Sequence, residues 1–247
     1  METDIRIIDV TESTNTDIER LAGEGAREGT CVVSFCQRHG QGRSGRTFFS
    51  PEGGNLYMSI LLRPRRECDF EMITVTAAVA AAEAVNETFG INAQIKWVND
   101  LIYKGRKIGG IVAQAKNFQT DDMYVILGIG INIYESANVP EEIKKRYGSI
   151  MGHKSDKPKK ILNDNAVALA KNIISKFAKE YEGGEKTDVI ERYRDLSAVI
   201  GKTVKYISGE RKVDARVIGI DDNGGIILKT EEGVRSYRDG EIRINLA

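Results

Sequence analysis

The sequence predicts an α/β (α+β) protein in which a mixed β-sheet flanked by helices is followed by a small β-barrel. Three observations carry that prediction. Apolar runs of strand length recur between Cys31 and Ile133, a long alanine-rich helical stretch interrupts them, and from Gly201 onward short β-type runs alternate with tight-turn clusters. The 247 residues are enough for one large domain plus a small module.

Residues 12–24 are polar with a few apolar anchors and read as a short helix after Ser13-Thr14-Asn15. Cys31–Phe35 has strand length. Asn55–Leu62 (NLYMSILL) is a second strand, entered through a turn at Ser50-Pro51-Glu52-Gly53-Gly54. Phe70–Phe89 is a helix with Met72, Val75, Val79 and Ala82 on one apolar stripe, and its alanines allow close approach to a sheet. Ala93–Trp97, Lys107–Ala115 and Met123–Ile133 are three further strands, the last nearly all apolar. Lys154–Lys160 reads as a surface connection, Leu162–Phe177 as an amphipathic helix and Thr187–Leu196 as another. Short strands then fall at 203–207, 213–220, 225–229, 234–237 and 241–245, with hairpin signals at Ser208-Gly209-Glu210 and Asp221–Gly225.

Composition narrows the function. Acidic and basic residues number 36 each, so no net field draws nucleic acid or an anionic membrane. Anion binding must come from local clusters. Cys31, Cys36 and Cys68 lack metal-ligand or CxxC spacing and read as free thiols of a reducing compartment. The start shows no signal peptide and no apolar run has membrane-spanning length, so the expectation is a cytoplasmic protein.

The richest segment is Gln37-Arg38-His39-Gly40-Gln41-Gly42-Arg43-Ser44-Gly45-Arg46. Glycines permit tight turns and close approach to a ligand, and arginines bring planar forks of donors that suit carboxylate and phosphate. Residues 40–45 satisfy G-x-G-x-x-G. The following Thr47–Gly54 does not read as a helix, however, so the dinucleotide-binding reading fails. Lys96-Trp97-Val98-Asn99-Asp100 closes a strand with a lysine and is followed by Arg106-Lys107 and the paired Gly109-Gly110. Those two glycines mark close approach by a ligand or by another backbone, and Gly128 and Gly130 mark a central strand beside a ligand. Asn132 is a lone polar residue in an apolar strand and needs a partner if buried. Ser13-Thr14-Asn15 by itself is an N-cap signal. The two histidines, His39 and His153, receive no catalytic role.

In this order, the four segments resemble the biotin–protein ligase family: Ser13-Thr14-Asn15, Gln37 with Gly40–Arg46, Lys96–Asp100 and Gly130-Ile131-Asn132. The tail from Gly201 is similar to the family's SH3-like C-terminal domain, which implies a catalytic domain over residues 1–200 and an SH3-like domain over 201–247. The resemblance implies synthesis of biotinyl-5′-AMP from biotin and ATP with Mg2+, then transfer to a lysine of a biotin carboxyl carrier domain. It implies biotin contacts from Ser13, Thr14, Asn15, Gln37, Gly40, Gln41, Gly42, Arg43, Lys96 and Gly110. It implies ATP contacts from Arg43, Arg46, Phe48, Lys96, Asn99, Arg106, Lys107 and Asn132, with Arg43 and Lys96 as the catalytic pair. No side chain is expected to ligate metal on its own account. Gln41 stands where the family usually has arginine, so a backbone contact is carried over there. Val98 replaces the usual proline, and Phe48 keeps an aromatic where tryptophan is common. A related lipoate- or octanoate-transferring ligase shares the fold and the order of ligands and stays open, although the glycine–arginine loop favours biotin; a non-catalytic biotin sensor is the second alternative, against which Lys96, Arg43 and Asn132 together argue. No DNA-binding segment or membrane contact is expected, and the resemblance allows a monomer or a homodimer.

Overall fold

The computed structural model describes the chain except residues 54, 65–69, 118, 119, 121, 153–158, 209, 210, 239–242 and 247. The expected connection at 154–160, the hairpin turn at 208–210, the end of the turn at 50–54, the start of the strand at 241–245, Cys68 and His153 therefore lie partly or wholly outside the described residues.

The first unit runs β1 (Asp4–Ile8), α1 (Thr14–Gly23), β2 (Thr30–Ser34), β3 (Leu56–Leu62), α2 (Phe70–Phe89), β4 (Gln94–Lys96), β5 (Asp100–Tyr103), β6 (Arg106–Lys116), β7 (Tyr124–Ile131), α3 (Glu141–Lys144), α4 (Lys159–Gly183) and α5 (Lys186–Asp195). Its seven strands form one sheet in the order β1-β2-β3-β7-β6-β5-β4. Only the β1–β2 pair is parallel, so the sheet is mixed. The second unit is an antiparallel sheet of β8 (Thr203–Ser208), β9 (Arg211–Ile220), β10 (Ile226–Thr230), β11 (Gly233–Tyr237) and β12 (Arg243–Leu246), ordered β11-β10-β9-β8-β12.

Strand alternation divides the large sheet into two faces. Leu56, Met58, Ile60 and Leu62 of β3 and Val125, Leu127, Ile129 and Ile131 of β7 join α2 and α4 in the main core. Leu61 and Ile126 point the other way, where Ile18, Leu21 and Ala22 of α1 cover them in a second cluster. The expectation of one apolar stripe on α2 is corrected. Ala77, Ala78, Ala80, Ala81, Ala82 and Ala84 are all buried, because α4 and α5 close over the side that faces away from the sheet. The main core continues into the second unit through Val204, Tyr206, Val217, Ile226 and Leu228.

Candidate active site

Beside the second cluster, toward the end of β7, the α1 face of the sheet changes character. Cross-strand register sets Gly110, Gly130 and Tyr57 in one row and Val112, Gly128 and Ser59 in the next. Small residues here leave a depression in the sheet. A Cβ at Gly130 would lie 2.6 Å from the Phe48 ring, and one at Gly110 would lie 3.5 Å from it. A Cβ at Gly128 would collide with Asn15 Oδ1. The close approach expected at these glycines is made by the chain's own Phe48 and Asn15.

At Gly109 the obstacle differs: a Cβ there would lie 2.7 Å from the Gly130 carbonyl oxygen, which the sheet fixes in place. Gly109→Ala is expected to lower stability by about 1–3 kcal/mol. Gly130→Ala costs less because the Phe48 ring can turn away. Urea midpoints of the two variants test this order.

The loop over the depression is braced. Phe48 N–H donates to the Gly40 carbonyl at 2.8 Å, Gly42 N–H donates to the Arg46 carbonyl at 2.7 Å, and Arg43–Gly45 form a 3₁₀ turn. Gly40 has no room for a side chain, since a Cβ would meet the Phe48 carbonyl oxygen at 2.5 Å. The Gln41 amide donates to Thr16 Oγ1 at 3.2 Å, so this side chain ties the loop to α1. Gly40, Gln41, Gly42, Arg43, Gly45 and Arg46 form one wall of a cavity of about 630 Å³, with Val112, Ala113 and Gln114 of β6 opposite.

At the start of α1, Ser13, Thr14 and Asn15 are buried. Gln37 Oε1 accepts from Thr14 N–H at 2.8 Å and from Thr14 Oγ1 at 3.0 Å, while Gln37 Nε2 donates to Ser50 Oγ at 3.2 Å. Ser59 Oγ lies 2.7 Å from Thr14 Oγ1 and 2.6 Å from Asn15 Oδ1. Thr14 and Gln37 thus spend their polar atoms largely on each other. Ser13 Oγ and Asn15 Nδ2 are buried with no hydrogen-bond partner among the described residues. Ser13 occupies the N-cap position without a side-chain capping bond. Two such groups cost stability unless a ligand satisfies them.

The cations gather beside the loop. Arg43 Nη1 donates to Asn99 Oδ1 at 2.9 Å, a contact between residues 56 apart in sequence. The Asn99 amide in turn donates to the Ile111 carbonyl at 2.5 Å, and Ile111 N–H returns a bond to the Asn99 carbonyl at 2.9 Å. Lys107 Nζ pairs with Asp100 at 2.5 Å and lies 5.8 Å from the centre of the Phe48 ring. Lys96, at the end of β4, is held below the ordinary lysine pKa: burial lowers it most, Asp100 opposes, and the Lys107 and Arg146 cations lower it further. The Trp97–Val98 peptide is cis. The buried Asn132 stands just past β7, with its amide donating to the Gly148 carbonyl at 3.1 Å and its Oδ1 unpartnered. Arg106 is exposed at the β5–β6 turn, where its Cβ fills the space a Gly148 side chain would take.

The structure therefore joins Arg43 to Asn99 and Phe48 to Gly110 and Lys107, and sets Lys96 within electrostatic reach of Asp100, Lys107 and Arg146. Arg46 faces the cavity. Arg106 and Asn132 share the 146–150 segment instead.

Residues 7–132 match the biotin/lipoate A/B protein ligase family, and residues 199–243 match the biotin protein ligase C-terminal domain. The chain belongs to the biotin/lipoate A/B protein ligase family. Among relatives in this ligase family, the bifunctional ligase/repressor BirA of Bacillus subtilis is 30% identical over 96% of this chain and 72% of its own length. A biotin–[acetyl-CoA-carboxylase] ligase of Paracoccus denitrificans is 26% identical over 90% of this chain and 93% of its own. A biotin protein ligase from Aquifex aeolicus, solved in complex with biotin and ATP, superposes with a TM-score of 0.80 at 27% identity, each chain covered completely.

Sequence reasoning missed Ser59, Ser50 and Arg146, which the structure sets against Thr14 and Asn15, Gln37 and Lys96 respectively. Ser59 left a signal, as the one small aliphatic alcohol within the apolar run of β3. Ser50 was read only as part of a turn. Arg146 left none, because its proximity to Lys96 depends on the path of residues 140–150 back to β6, where Lys107 N–H meets the Arg146 carbonyl at 2.7 Å.

Proposed function

We propose that this chain activates biotin with ATP as biotinyl-5′-AMP and transfers the biotinyl group to a lysine of a biotin carboxyl carrier domain. The observation that carries this reading is the Arg43–Asn99 bond, which brings the glycine–arginine loop and the Lys96–Asp100 segment to one site. In the first step a biotin carboxylate oxygen attacks the α-phosphorus, an O–P bond forms and pyrophosphate leaves. In the second, the carrier amine attacks the acyl carbon, AMP leaves and the amine gives up a proton.

The first step brings like charges together. Two unit charges about 4 Å apart repel by roughly 4 kcal/mol at an effective dielectric near 20. Arg43 of the loop and Lys107 of β6 offset that repulsion, and Lys96 adds charge beside Lys107. Such fixed cations stabilise the charge that develops in transfer without reorganising. Arg46, Arg106 and Asn132 are assigned to the nucleotide. Ser13 Oγ and Asn15 Nδ2, two buried and unspent groups, suit the ureido head of biotin, and the Phe48 ring that covers Gly130 offers a flat apolar surface to a ligand. Gly40, Gln41 and Gly42 offer loop backbone to the biotin tail.

Mg2+ fits as an ion carried on the phosphates. Among the described residues no group of three or more His, Cys, Asp or Glu forms a cage, and such an ion normally keeps several waters and takes few protein oxygens. Asp100 is the carboxylate placed to share in holding it, and when bound the ion supplies neutralisation of phosphate charge. We take residues 1–200 as the catalytic domain and 201–247 as the SH3-like domain. The unpaired, buried Cys31 and Cys36 fit a cytoplasmic setting.

The test is mass spectrometry of a carrier domain incubated with the chain, biotin, ATP and Mg2+. A single biotinyl addition on lysine is expected. Addition driven by lipoate or octanoate, but not biotin, assigns the other branch of the family, and no addition with tight biotin binding assigns a sensor.

A further inference from the structure

The second unit meets the segment that carries Lys96 and Asn99 through a hydrogen bond. Trp97, the only tryptophan of the chain, is 7% exposed, and its indole N–H donates to the Gly224 carbonyl at 2.9 Å. That acceptor lies 127 residues away, in the β9–β10 turn. A buried indole N–H needs an acceptor, so the position of this carbonyl decides where the ring settles.

The turn is built to hold that carbonyl. Asp221 Oδ1 accepts from the N–H groups of Asn223 at 2.9 Å and Gly225 at 2.8 Å, and Oδ2 accepts from the Ser236 hydroxyl of β11. Asp221 N–H also donates to the Gly225 carbonyl at 2.8 Å. Gly224 has φ +84°, and a Cβ there would press within 2.9 Å of Val75 on α2. No other residue type fits that conformation and that gap equally well. From the other side, α5 grips both partners: Tyr193 Oη donates to the Val98 carbonyl at 2.9 Å, and the adjacent Arg194 binds the Ile220 carbonyl at 2.8 Å and Asp222 at 2.6 Å. Trp97 and Val98 are thus held between α5 and the turn. They connect Lys96 directly to Asn99, the residue that Arg43 binds.

We propose that the Asp221–Gly225 turn is a latch by which the second unit positions the phosphate side of the site, with Asp221 a positioning residue acting through Gly224 and Trp97 on Lys96 and Asn99. The proposal rests on the ligase reading above. It predicts a defect selective for ATP, since the groups around Ser13 and Asn15 do not touch this chain of contacts.

The test uses the full chain and biotin-dependent ATP–pyrophosphate exchange. Asp221→Ala should raise KM for ATP about five- to tenfold, the worth of one or two net hydrogen bonds, while KM for biotin stays within about twofold. Trp97 emission should move to longer wavelength in this variant. Asp221→Asn, which keeps a carbonyl acceptor for the turn, should recover most of both. Trp97→Phe keeps an aromatic ring, smaller and without the donor, and should match the ATP defect, and the double variant should be no worse than either single one. An unchanged ATP KM, equal rises for ATP and biotin, or additive losses in the double variant would overturn the latch. If Asp221→Ala does not fold, Trp97→Phe is judged alone by the same ATP-versus-biotin split. Wild-type chain without biotin-dependent exchange overturns the ligase reading instead, and the latch is then judged on the Trp97 emission of Asp221→Ala.

Discussion

Arg43→Ala is expected to slow adenylate formation by about 10²–10³-fold, the usual loss when a fixed donor to developing charge is removed. Stability should fall modestly. Arg43 sits half-buried on a loop and bonds Asn99, whose own amide stays anchored to Ile111. Losing one net hydrogen bond costs about 0.5–1.5 kcal/mol, which in a chain of this size is a thermal shift of about 1–6 °C. Arg43→Lys separates charge from shape. It keeps the cation but loses the planar fork that bonds Asn99 and a phosphate oxygen together, so an intermediate loss is expected. The measurement is single-turnover formation of biotinyl-5′-AMP beside a thermal melt. An unchanged adenylate yield in Arg43→Ala would remove this residue from the mechanism.

The large effect at residue 43 depends on a contact that no local pattern contains. Sequence periodicity was sufficient for β2, β3, β6, β7, α2, α4 and α5, because each buries a run long enough to carry its own signal. It missed β1, β5 and α3. β1 is an edge strand whose Arg6 and Ile7 are exposed, so its alternation is weak. β5 has four residues and starts at Asp100, a residue type that reads as a turn former. α3 is also four residues long and buries nothing. In the C-terminal module the turn clusters placed all five strands, because strand limits there are set locally by glycine and aspartate. The site was legible as residue types and spacing, but its floor was not. Which side chain fills the gap above a strand glycine is decided by cross-strand register and loop path, and these put Phe48 over Gly130 and Asn15 over Gly128.

Lys96→Met should slow adenylate formation severely and stabilise the fold. Burial and the neighbouring Lys107 and Arg146 cations hold the Lys96 pKa below its ordinary value, even with Asp100 opposing. The unfolded chain therefore binds this proton more tightly than the native chain does. Wherever that is so, stability rises with pH. At neutral pH the ionised lysine costs native stability in full. The cost fades as pH climbs from the lowered native value toward the unfolded one, about 10.4, and is gone above it. Methionine keeps the length of the side chain and removes the charge. Asp100 is not stranded, since Lys107 remains 2.5 Å away. The variant should melt above wild type at pH 7, and its advantage should shrink steadily as the two are compared up to pH 10.5. Adenylate formation should fall by about 10²-fold or more over the same range, because the charge beside Lys107 is lost. A variant that melts below wild type at pH 7, or whose advantage does not narrow with pH, would show that Lys96 is stabilised where it sits. The functional assignment would then lose its physical basis, because a cation kept in a place that disfavours it is what marks this lysine as retained for chemistry rather than for folding.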